Sequence, residues 1–227
     1  MIRAVVLLSS GMDSTVNIYA AQKEMQVSLA ITFDYGQRAA VKEISCAQKI
    51  CTQLKIPHQV VSLPFIKGFG KSSLTDDSKK VPTGTDISMD DLEKSQKTAK
   101  SVWVPNRNGI FLNVAAGFAE SLDASFVIPG FNKEEATTFP DNSQAFLEQT
   151  SKALSFSTSN QVQVKCFTTE KSKTEIVKMG QELGVDWSLM WPCYFAEDQW
   201  CGQCESCQRS KRALKSAGIT KGLFHGN

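Results

Sequence analysis

Four cysteines near the C-terminus have the spacing of a metal site. Cys193 is followed after seven residues by Cys201, and Cys204 and Cys207 follow with two residues between neighbours. Four thiolates suit a tetrahedral Zn²⁺ ion and leave no open coordination position, so one structural zinc ion per chain is expected. The same spacing also occurs in iron–sulfur proteins, and the spacing alone leaves that alternative open.

A serine- and glycine-containing loop follows the first apolar segment of the chain. Ser9, Ser10 and Gly11 come directly after that segment and before a predicted helix. Backbone N–H groups and the helix dipole converge at such a turn, which favours binding of an anion. The loop matches neither G-x-x-x-x-G-K-[ST] nor G-x-G-x-x-G, so a kinase-like or dinucleotide site is not expected. An ordinary capped helix after a strand has the same local pattern, so geometry alone leaves that alternative open.

Five predicted strands alternate with helices and must position these groups. The predicted strands are Ala4–Leu8, Val27–Phe33, Gln59–Leu63, Ser125–Pro129 and Val162–Phe167. Helices are expected at about Asp13–Lys23, Ala40–Leu54, Ile110–Ser121, Ser143–Leu154, Ser172–Leu183 and Ser206–Ala217. This alternation predicts an α/β fold with a doubly wound, mainly parallel five-stranded sheet and helices on both faces.

The domain organisation follows from where this alternation holds. Residues 1–186 are expected to form the α/β domain, and residues 187–227 a C-terminal zinc-binding element. Residues 64–101 are polar and interrupt the alternation, so we expect a long, partly mobile excursion that covers the site.

Composition restricts the class of protein. The chain has 227 residues, of which 41% are hydrophobic and 21% charged, which excludes a disordered or fibrous chain. The net charge of +2 gives no overall basic field, so a nucleic-acid partner is not expected. No apolar run approaches the about 18 residues that span a bilayer, and the first one is too short for a signal peptide. A cytoplasmic protein without membrane association is therefore expected.

Five motifs, in order along nearly the whole chain, resemble those of the QueC family, which belongs to the PP-loop ATP pyrophosphatases. The first loop resembles S-G-G-x-D-S, with Ser10 at the first glycine. The other four are the segments Asp34-Tyr35-Gly36-Gln37-Arg38, Val104-Pro105-Asn106-Arg107-Asn108, Phe139-Pro140-Asp141 and the stretch from Trp191 to Cys207 that carries W-P-C-Y and C-G-Q-C-E-S-C.

The resemblance implies an ATP-dependent carbon–nitrogen ligase. Members of the family that the chain resembles adenylate 7-carboxy-7-deazaguanine and form an amide with ammonia. They then use a second ATP to dehydrate the amide to a nitrile. ATP with Mg²⁺ is implied as cosubstrate, and a homodimer is implied as the assembly. The implied ATP-binding residues are Leu8, Ser9, Ser10, Gly11, Met12, Asp13, Ser14, Thr15, Phe33 and Gln37.

The resemblance also implies roles at the reacting centre. Asp13, Ser14, Arg107 and Lys173 are the implied catalytic residues. Without the motif match, Arg107 and Lys173 would be interpreted as ordinary surface charges. The implied substrate-binding residues are Arg38, Asn108, Asn132, Phe139 and Asp141.

Departures from the family pattern cluster where the substrate is expected. Ala39 stands where histidine is usual, and the segment after Asn132 carries Glu135, Thr137, Thr138, Phe139 and Asn142 in place of the family residues. These changes favour a divergent ligase that activates the same carboxylate and transfers it to a larger amine, such as a peptide or protein N-terminus. Such a ligase resembles the QueC-like ligases of bacterial antiphage (CBASS) operons, which carry out this kind of conjugation.

Three alternatives remain open at this point. The first is an ordinary 7-cyano-7-deazaguanine synthase that uses ammonia and two ATP in queuosine biosynthesis. The second is another PP-loop reaction, such as tRNA thiolation or amidation of a different carboxylate. The third is a non-catalytic, zinc-stapled nucleotide-binding module.

Overall fold

All strands of the described residues belong to one parallel sheet. The computed structural model describes residues 2–70, 72–88 and 91–219. The strands are β1 Arg3–Leu7, β2 Gln26–Asp34, β3 His58–Ser62, β4 Phe126–Ile128 and β5 Gln163–Val164, arranged in the order β3-β2-β1-β4-β5. Every neighbouring pair runs parallel. The predicted α/β fold is therefore confirmed, with β5 shorter than the apolar run 162–167 indicates.

Helices connect the strands and flank the sheet. They are α1 Met12–Glu24, α2 Ala40–Leu54, α3 Leu92–Val102, α4 Arg107–Ser121, α5 Lys133–Ala136, α6 Gln144–Ser157, α7 Lys173–Leu183 and α8 Glu205–Ser216. The sequence predicts all of these except α3 and the single turn α5. None of the helices in the described ranges combines the length and apolar character of a bilayer-spanning segment.

Both faces of the sheet are buried, as expected for a doubly wound fold. Ala4 and Val6 of β1 pack on one side with α1, α2, α7 and α8, whereas Val5 packs on the other side with α4 and α6. Leu214 of α8 lies in the same core cluster as Ile176 of α7. The C-terminal element therefore shares the main core over its described residues.

The strand order reverses between β1 and β4. In open parallel sheets, the loops that leave two such strands diverge and form a crevice at their carboxyl ends. Here the loop after β4 lies against the start of α1, because a Cβ at Gly130 would lie 2.4 Å from the backbone nitrogen of Ser14. The serine loop after β1 therefore opens directly into this crevice.

The segment 64–101 differs from the expected irregular excursion. It contains most of α3 and two short 3₁₀ turns, Pro64–Phe69 and Gly84–Asp86. Its apolar side chains Ile66, Leu74, Val81 and Ile87 are buried, whereas Phe65 and Phe69 are exposed. The segment is therefore packed against the rest of the molecule, and its movement as a cover stays a prediction.

Candidate active site and metal centre

The loop after β1 has the conformation of an anion-binding turn. Ser10 adopts the left-handed region with φ of 57°, and its hydroxyl donates to the Ser9 carbonyl oxygen at 2.6 Å. Gly11 is the N-cap of α1 and makes no side-chain cap bond. The first N–H groups of a helix have no intrahelical acceptor, so those of α1 can bind an anion. The Ser9 and Ser14 hydroxyls, 3.1 Å apart, add two further groups.

A buried ion-pair network stands beside this loop. Lys173, the first residue of α7, contacts Asp13 Oδ2 at 2.5 Å and Glu135 Oε1 at 2.9 Å. Asn132 donates from Nδ2 to the same Asp13 oxygen at 3.0 Å. Burial would lower the pKa of Lys173, but the two carboxylates outweigh it and raise that pKa. The ammonium therefore stays charged at the edge of the crevice.

One oxygen of Asp13 has no partner within the described part of the chain. Asp13 Oδ1 is buried and accepts no hydrogen bond, although Oδ2 accepts two. An unpartnered buried carboxylate oxygen is costly unless a ligand or ion satisfies it. Carboxylate and phosphate oxygens are the ligands that Mg²⁺ prefers, so the position of Asp13 fits a Mg²⁺–nucleotide complex.

A second polar group lines the same crevice and consists of Arg107, Asn108 and Asp141. Arg107 Nε donates to Asn108 Oδ1 at 3.2 Å, and its guanidinium lies 6.0 Å from the ring centroid of Tyr35. Burial raises the pKa of Asp141, while the charge of Arg107 opposes that rise. The structure thus places one cation and one carboxylate where they can face a polar substrate.

Two aromatic rings lie parallel at the wall of the same crevice. The rings of Trp103 and Phe139 have centroids 5.9 Å apart and an interplanar angle of 5°. Such an arrangement offers flat apolar faces to a planar heterocycle. Sequence reasoning missed Trp103, although an aromatic residue directly before the Val104–Asn108 motif was an available signal.

These walls enclose a cavity of about 260 Å³ at the carboxyl ends of the strands. The sequence-predicted residues that line it are Leu8, Ser9, Gly11, Met12, Asp13, Ser14, Phe33, Gln37, Arg38, Arg107, Asn108, Phe139, Asp141 and Lys173. Ser10, Thr15 and Asn132 are fully buried behind this lining. We therefore assign Asn132 to holding Asp13 rather than to direct substrate contact.

Arg38 has a structural task that its motif does not indicate. Its guanidinium donates from Nε to the Ser73 carbonyl at 2.8 Å, and from Nη2 to the carbonyls of Asp76 and Lys79 at 2.9 and 2.7 Å. It also forms an ion pair with Asp77. The sequence assigns Arg38 to substrate binding, whereas here its donors hold the 64–101 segment against the turn after β2.

Gln37 is likewise engaged by its own turn. Its Nε2 donates to the Phe33 carbonyl and to Glu43 Oε2, and its Oε1 accepts from the Tyr35 N–H at 3.0 Å. Gln37 therefore shapes the wall, and a direct contact with ATP stays a prediction. Glu43, which the sequence analysis did not select, also lines the cavity, and burial raises its pKa to about 7.

The residues that depart from the family pattern divide into two groups. Thr137 and Thr138 direct their hydroxyls to the carbonyls of Glu134 and Glu135, so they satisfy the end of α5 and do not line the cavity. The departures that line the cavity are Ala39, Glu135, Phe139 and Asn142. Of these, Glu135 pairs with Lys173, and Ala39 also packs in one cluster with Trp191 and Cys193.

The four predicted metal ligands converge. The Sγ atoms of Cys193, Cys201, Cys204 and Cys207 all lie within 4.8 Å of one another. Backbone N–H groups point at the sulfurs: Cys204 N–H donates to Cys201 Sγ at 3.2 Å, and Cys201 N–H to Cys193 Sγ at 3.4 Å. Such donors stabilise thiolates, and four thiolates fit a closed tetrahedral metal ion.

The segment that leads into the four-cysteine cluster contacts the loop after β1. Trp191, two residues before Cys193, donates its N–H to the Ser10 carbonyl at 2.8 Å. On the other side, Gly84 of the 64–101 segment donates its N–H to the Gln203 carbonyl at 3.0 Å. The residues around the four-cysteine cluster are therefore joined to the anion-binding turn and to the 64–101 segment.

Comparison with known proteins agrees with this geometry. The sequence model of the family described as "Queuosine biosynthesis protein QueC" matches residues 3–218. The chain is 59% identical over 224 residues to a 7-cyano-7-deazaguanine synthase of Bdellovibrio bacteriovorus, covering 98% of this chain and 97% of that protein. It is 47% identical over 227 residues to a protein of the same name from Methanocaldococcus jannaschii, covering 96% of each.

Among solved structures, NMN synthetase from Francisella tularensis is similar with a TM-score of 0.49 and 14% identity, covering 96% of this chain and 78% of that one. The family match and the two high identities extend over almost the whole chain and include every motif quoted above. The protein therefore belongs to the QueC family.

Proposed function

We propose that this protein is an ATP-dependent enzyme that converts the carboxyl group of 7-carboxy-7-deazaguanine to a nitrile, using ammonia and two ATP. The observation that carries the proposal is the 59% identity, over 98% of the chain, to a relative named 7-cyano-7-deazaguanine synthase. The site supports it, because the lining combines an anion-binding turn, a buried cation and a pair of flat aromatic rings.

The first step is activation of the carboxylate. The substrate carboxylate oxygen attacks the α-phosphorus of ATP, the bond between the α- and β-phosphates breaks, and pyrophosphate leaves. The free N–H groups of α1 and the hydroxyls of Ser9 and Ser14 are positioned to accept the charge that develops on pyrophosphate. Asp13 would hold Mg²⁺ on the nucleotide, and Lys173 would balance the charge of Asp13.

The later steps form the amide and then activate it with a second ATP, using the same residues as the first activation. Ammonia attacks the acyl carbon, a proton is lost and AMP leaves, so a primary amide forms. The amide oxygen then attacks a second ATP and pyrophosphate leaves; loss of AMP and two protons gives the nitrile. Both activations release pyrophosphate at the same turn, which is consistent with a single cavity that holds the base in place throughout.

A second set of residues that line the cavity is proposed to orient the substrate. The parallel rings of Trp103 and Phe139 are proposed to stack on the deazapurine, and Arg107 to orient its carboxylate. Asp141 is proposed to accept from a guanine-like N–H edge. Asn108, whose Oδ1 accepts from Arg107, is proposed to hold that guanidinium in place.

The relatives favour ammonia over a larger amine as the acceptor. The departures that predict an altered acceptor pocket include Thr137 and Thr138, which do not line the cavity, and Glu135, which is paired with Lys173. Transfer to a protein N-terminus and a role in antiviral defence therefore have no support in the site or in the names of the relatives. The buried Asp13–Lys173 pair at the cavity also weighs against a non-catalytic binding module.

The metal and the assembly complete the proposal. We propose Zn²⁺ as the ion on the four cysteines, with a structural role because the site has four protein ligands and no open position. The homodimer and the division into residues 1–186 and 187–227 stay predictions.

One reaction tests the function. The purified protein is incubated with 7-carboxy-7-deazaguanine, ATP, Mg²⁺ and either an ammonium salt or a short peptide with a free N-terminus. Mass spectrometry should find the nitrile, AMP and pyrophosphate with ammonium, and no peptide conjugate. A peptide conjugate formed faster than the nitrile would contradict the proposal, and ADP as the product would show that the loop was misinterpreted.

A further inference from the structure

The helix that carries two metal ligands also carries a buried arginine. Cys204 is the N-cap of α8 and Cys207 lies in its first turn, and Arg209 follows two residues later. Arg209 is 9% exposed and lines the cavity. Its Nε and Nη2 donate to Glu205 Oε1 at 3.0 and 2.8 Å, so one acid of α8 holds the guanidinium in place.

The other end of the guanidinium reaches α5. Arg209 Nη1 lies 3.4 Å from Glu134 Oε2, and the second oxygen of Glu134, Oε1, accepts the backbone N–H of Lys173 at 2.7 Å. One carboxylate therefore connects a residue of the metal-binding helix with the first residue of α7. The next residue in the chain, Glu135, contacts the side chain of the same lysine.

The acids in this group outnumber its cations, so loss of Arg209 would increase the excess of negative charge. Among the described residues, four acids lie in it, Asp13, Glu134, Glu135 and Glu205, and its two buried cations are Lys173 and Arg209. A third cation, Arg212, approaches Glu134 only to 3.9 Å and is about half exposed. Loss of Arg209 would leave Glu134 free to turn away from the N-terminus of α7 or to recruit Lys173 itself.

We propose that Arg209 is a positioning residue: through Glu134 it fixes the start of α7 and so holds the Lys173 ammonium between Asp13 and Glu135. The four-cysteine centre then stabilises the fold and also supports catalysis through a path of contacts that runs from Arg209 of α8 through Glu134 to Lys173. The inference rests on the proposed function only in that Lys173 acts during turnover. A displacement of the ammonium by an ångström is expected to cost activity, because the reacting groups must be held at near-contact distance.

A double-mutant cycle tests the path. Arg209→Gln, Glu134→Gln and the double variant are prepared as full-length, metal-loaded proteins, with Arg209→Lys as the conservative variant and Lys215→Gln, an exposed substitution on α8, as the matched control. Metal content, affinity for MgATP and the steady-state constants for 7-carboxy-7-deazaguanine turnover are measured. Each single Gln variant should lower kcat about tenfold or more with little change in KM. The double variant should fall no further, because both changes break the same link.

The controls separate this path from a general loss of structure. Arg209→Lys should recover part of kcat, and Lys215→Gln should leave kcat unchanged. Additive losses in the double variant, or a loss of metal that matches the loss of activity, would overturn the proposal. If Arg209→Gln does not fold, Arg209→Lys takes its place in the double-mutant cycle with Glu134→Gln. The same outcomes then support or overturn the proposal.

A structural measurement keeps the inference independent of the substrate. In a crystal structure of Glu134→Gln or Arg209→Lys, Lys173 Nζ should leave at least one of its two carboxylate contacts. If both contacts persist unchanged, Arg209 does not position Lys173, whatever the activity. If the wild-type protein does not convert 7-carboxy-7-deazaguanine, the proposed function fails, while this measurement still supports or overturns the positioning role.

Discussion

The backbone N–H of Trp191 donates a 2.8 Å hydrogen bond to the carbonyl oxygen of Ser10. The bond joins the chain just before the first metal ligand, Cys193, to the residue of the anion-binding turn that has a positive φ. The segment that leads into the four-cysteine cluster therefore contacts this turn directly through its backbone.

Removal of the metal should affect ATP binding as well as stability. Cys204→Ser or prolonged chelation should lower thermal stability strongly or cause aggregation, because structural metal sites contribute directly to folding free energy. At temperatures where the chelated protein remains folded, its affinity for MgATP should fall at least about tenfold, because the turn loses its support. Elemental analysis, thermal unfolding and calorimetry check this; iron in place of zinc, or a fully stable metal-free variant, would contradict it.

Gly130→Ala should push the loop after β4 off α1. The added Cβ would lie 2.4 Å from Ser14 N and 2.6 Å from Ser14 Cα, and these are backbone atoms that cannot rotate away. We expect a loss of about 1–3 kcal/mol in unfolding free energy and a larger loss in turnover. Gly117→Ala is the matched control, because Gly117 is exposed on α4 with open space around it and alanine favours a helix. Equal effects of the two substitutions would refute the argument.

Ser10→Gly should be tolerated or mildly stabilising. Ser10 has φ of 57°, a region that costs a non-glycine residue energy, and the side chain compensates only with its bond to the Ser9 carbonyl. We expect a change in unfolding free energy within about 1 kcal/mol and retained ATP turnover. Ser10→Val, which adds a β-branch in the same conformation, should lower both the unfolding free energy and ATP turnover. Chemical denaturation with pyrophosphate-release assays compares the two variants.

Trp103→Leu should weaken binding of the deazapurine and leave ATP binding unchanged. The ring of Trp103 lies parallel to that of Phe139, and aromatic stacking contributes about 0.5–1.5 kcal/mol. The KM for 7-carboxy-7-deazaguanine should therefore rise about 3- to 10-fold, and Trp103→Phe should retain most of the wild-type value. An equal rise in the KM for ATP would show that the rings contact the nucleotide instead.

Glu43 should make stability fall with rising pH. Burial raises its pKa to about 7 from 4.5, with Gln37 and Arg107 opposing and Asp34 assisting. Between these two values the native state holds a proton that the unfolded state has released, so the unfolding free energy decreases as pH rises through that window. Relative to Glu43→Gln, the wild type should lose about 1–3 kcal/mol between about pH 4.5 and about pH 8. Urea unfolding measures this, and the control Glu182→Gln, an exposed substitution that keeps Glu43, should show the same pH trend as the wild type.

Hydrophobic periodicity was sufficient for the sheet and insufficient for α3. The runs that became β1 and β2 are apolar because both faces of the sheet are covered, and that signal is local. The helix Leu92–Val102 has few apolar residues, and its buried face includes Ser95 and Thr98, whose hydroxyls contact Arg209 and Glu205 of α8. Positions 95, 98, 99 and 102 of this helix are buried at helical spacing, but two of the four residues are polar, so apolar residues alone do not reveal the helix.

The motifs indicated which residues meet at the cavity more reliably than what each residue does there. Asp13 and Lys173 are 160 positions apart, and only the resemblance predicted that both belong to one site. Arg38 has the chemistry of a substrate-binding residue, but its partners are backbone carbonyls in a segment whose fold the sequence does not indicate. Side-chain type alone cannot distinguish these uses, because the same donors serve either.

The link between Trp191 and Ser10 also has a consequence for synthesis on the ribosome. The anion-binding turn is synthesised long before Trp191, whose backbone N–H supports it. The early strands must therefore form without this contact until Trp191 has been added and has left the ribosome. Fragments that stop before Trp191 should bind no nucleotide even where the sheet has formed, because the turn lacks this support.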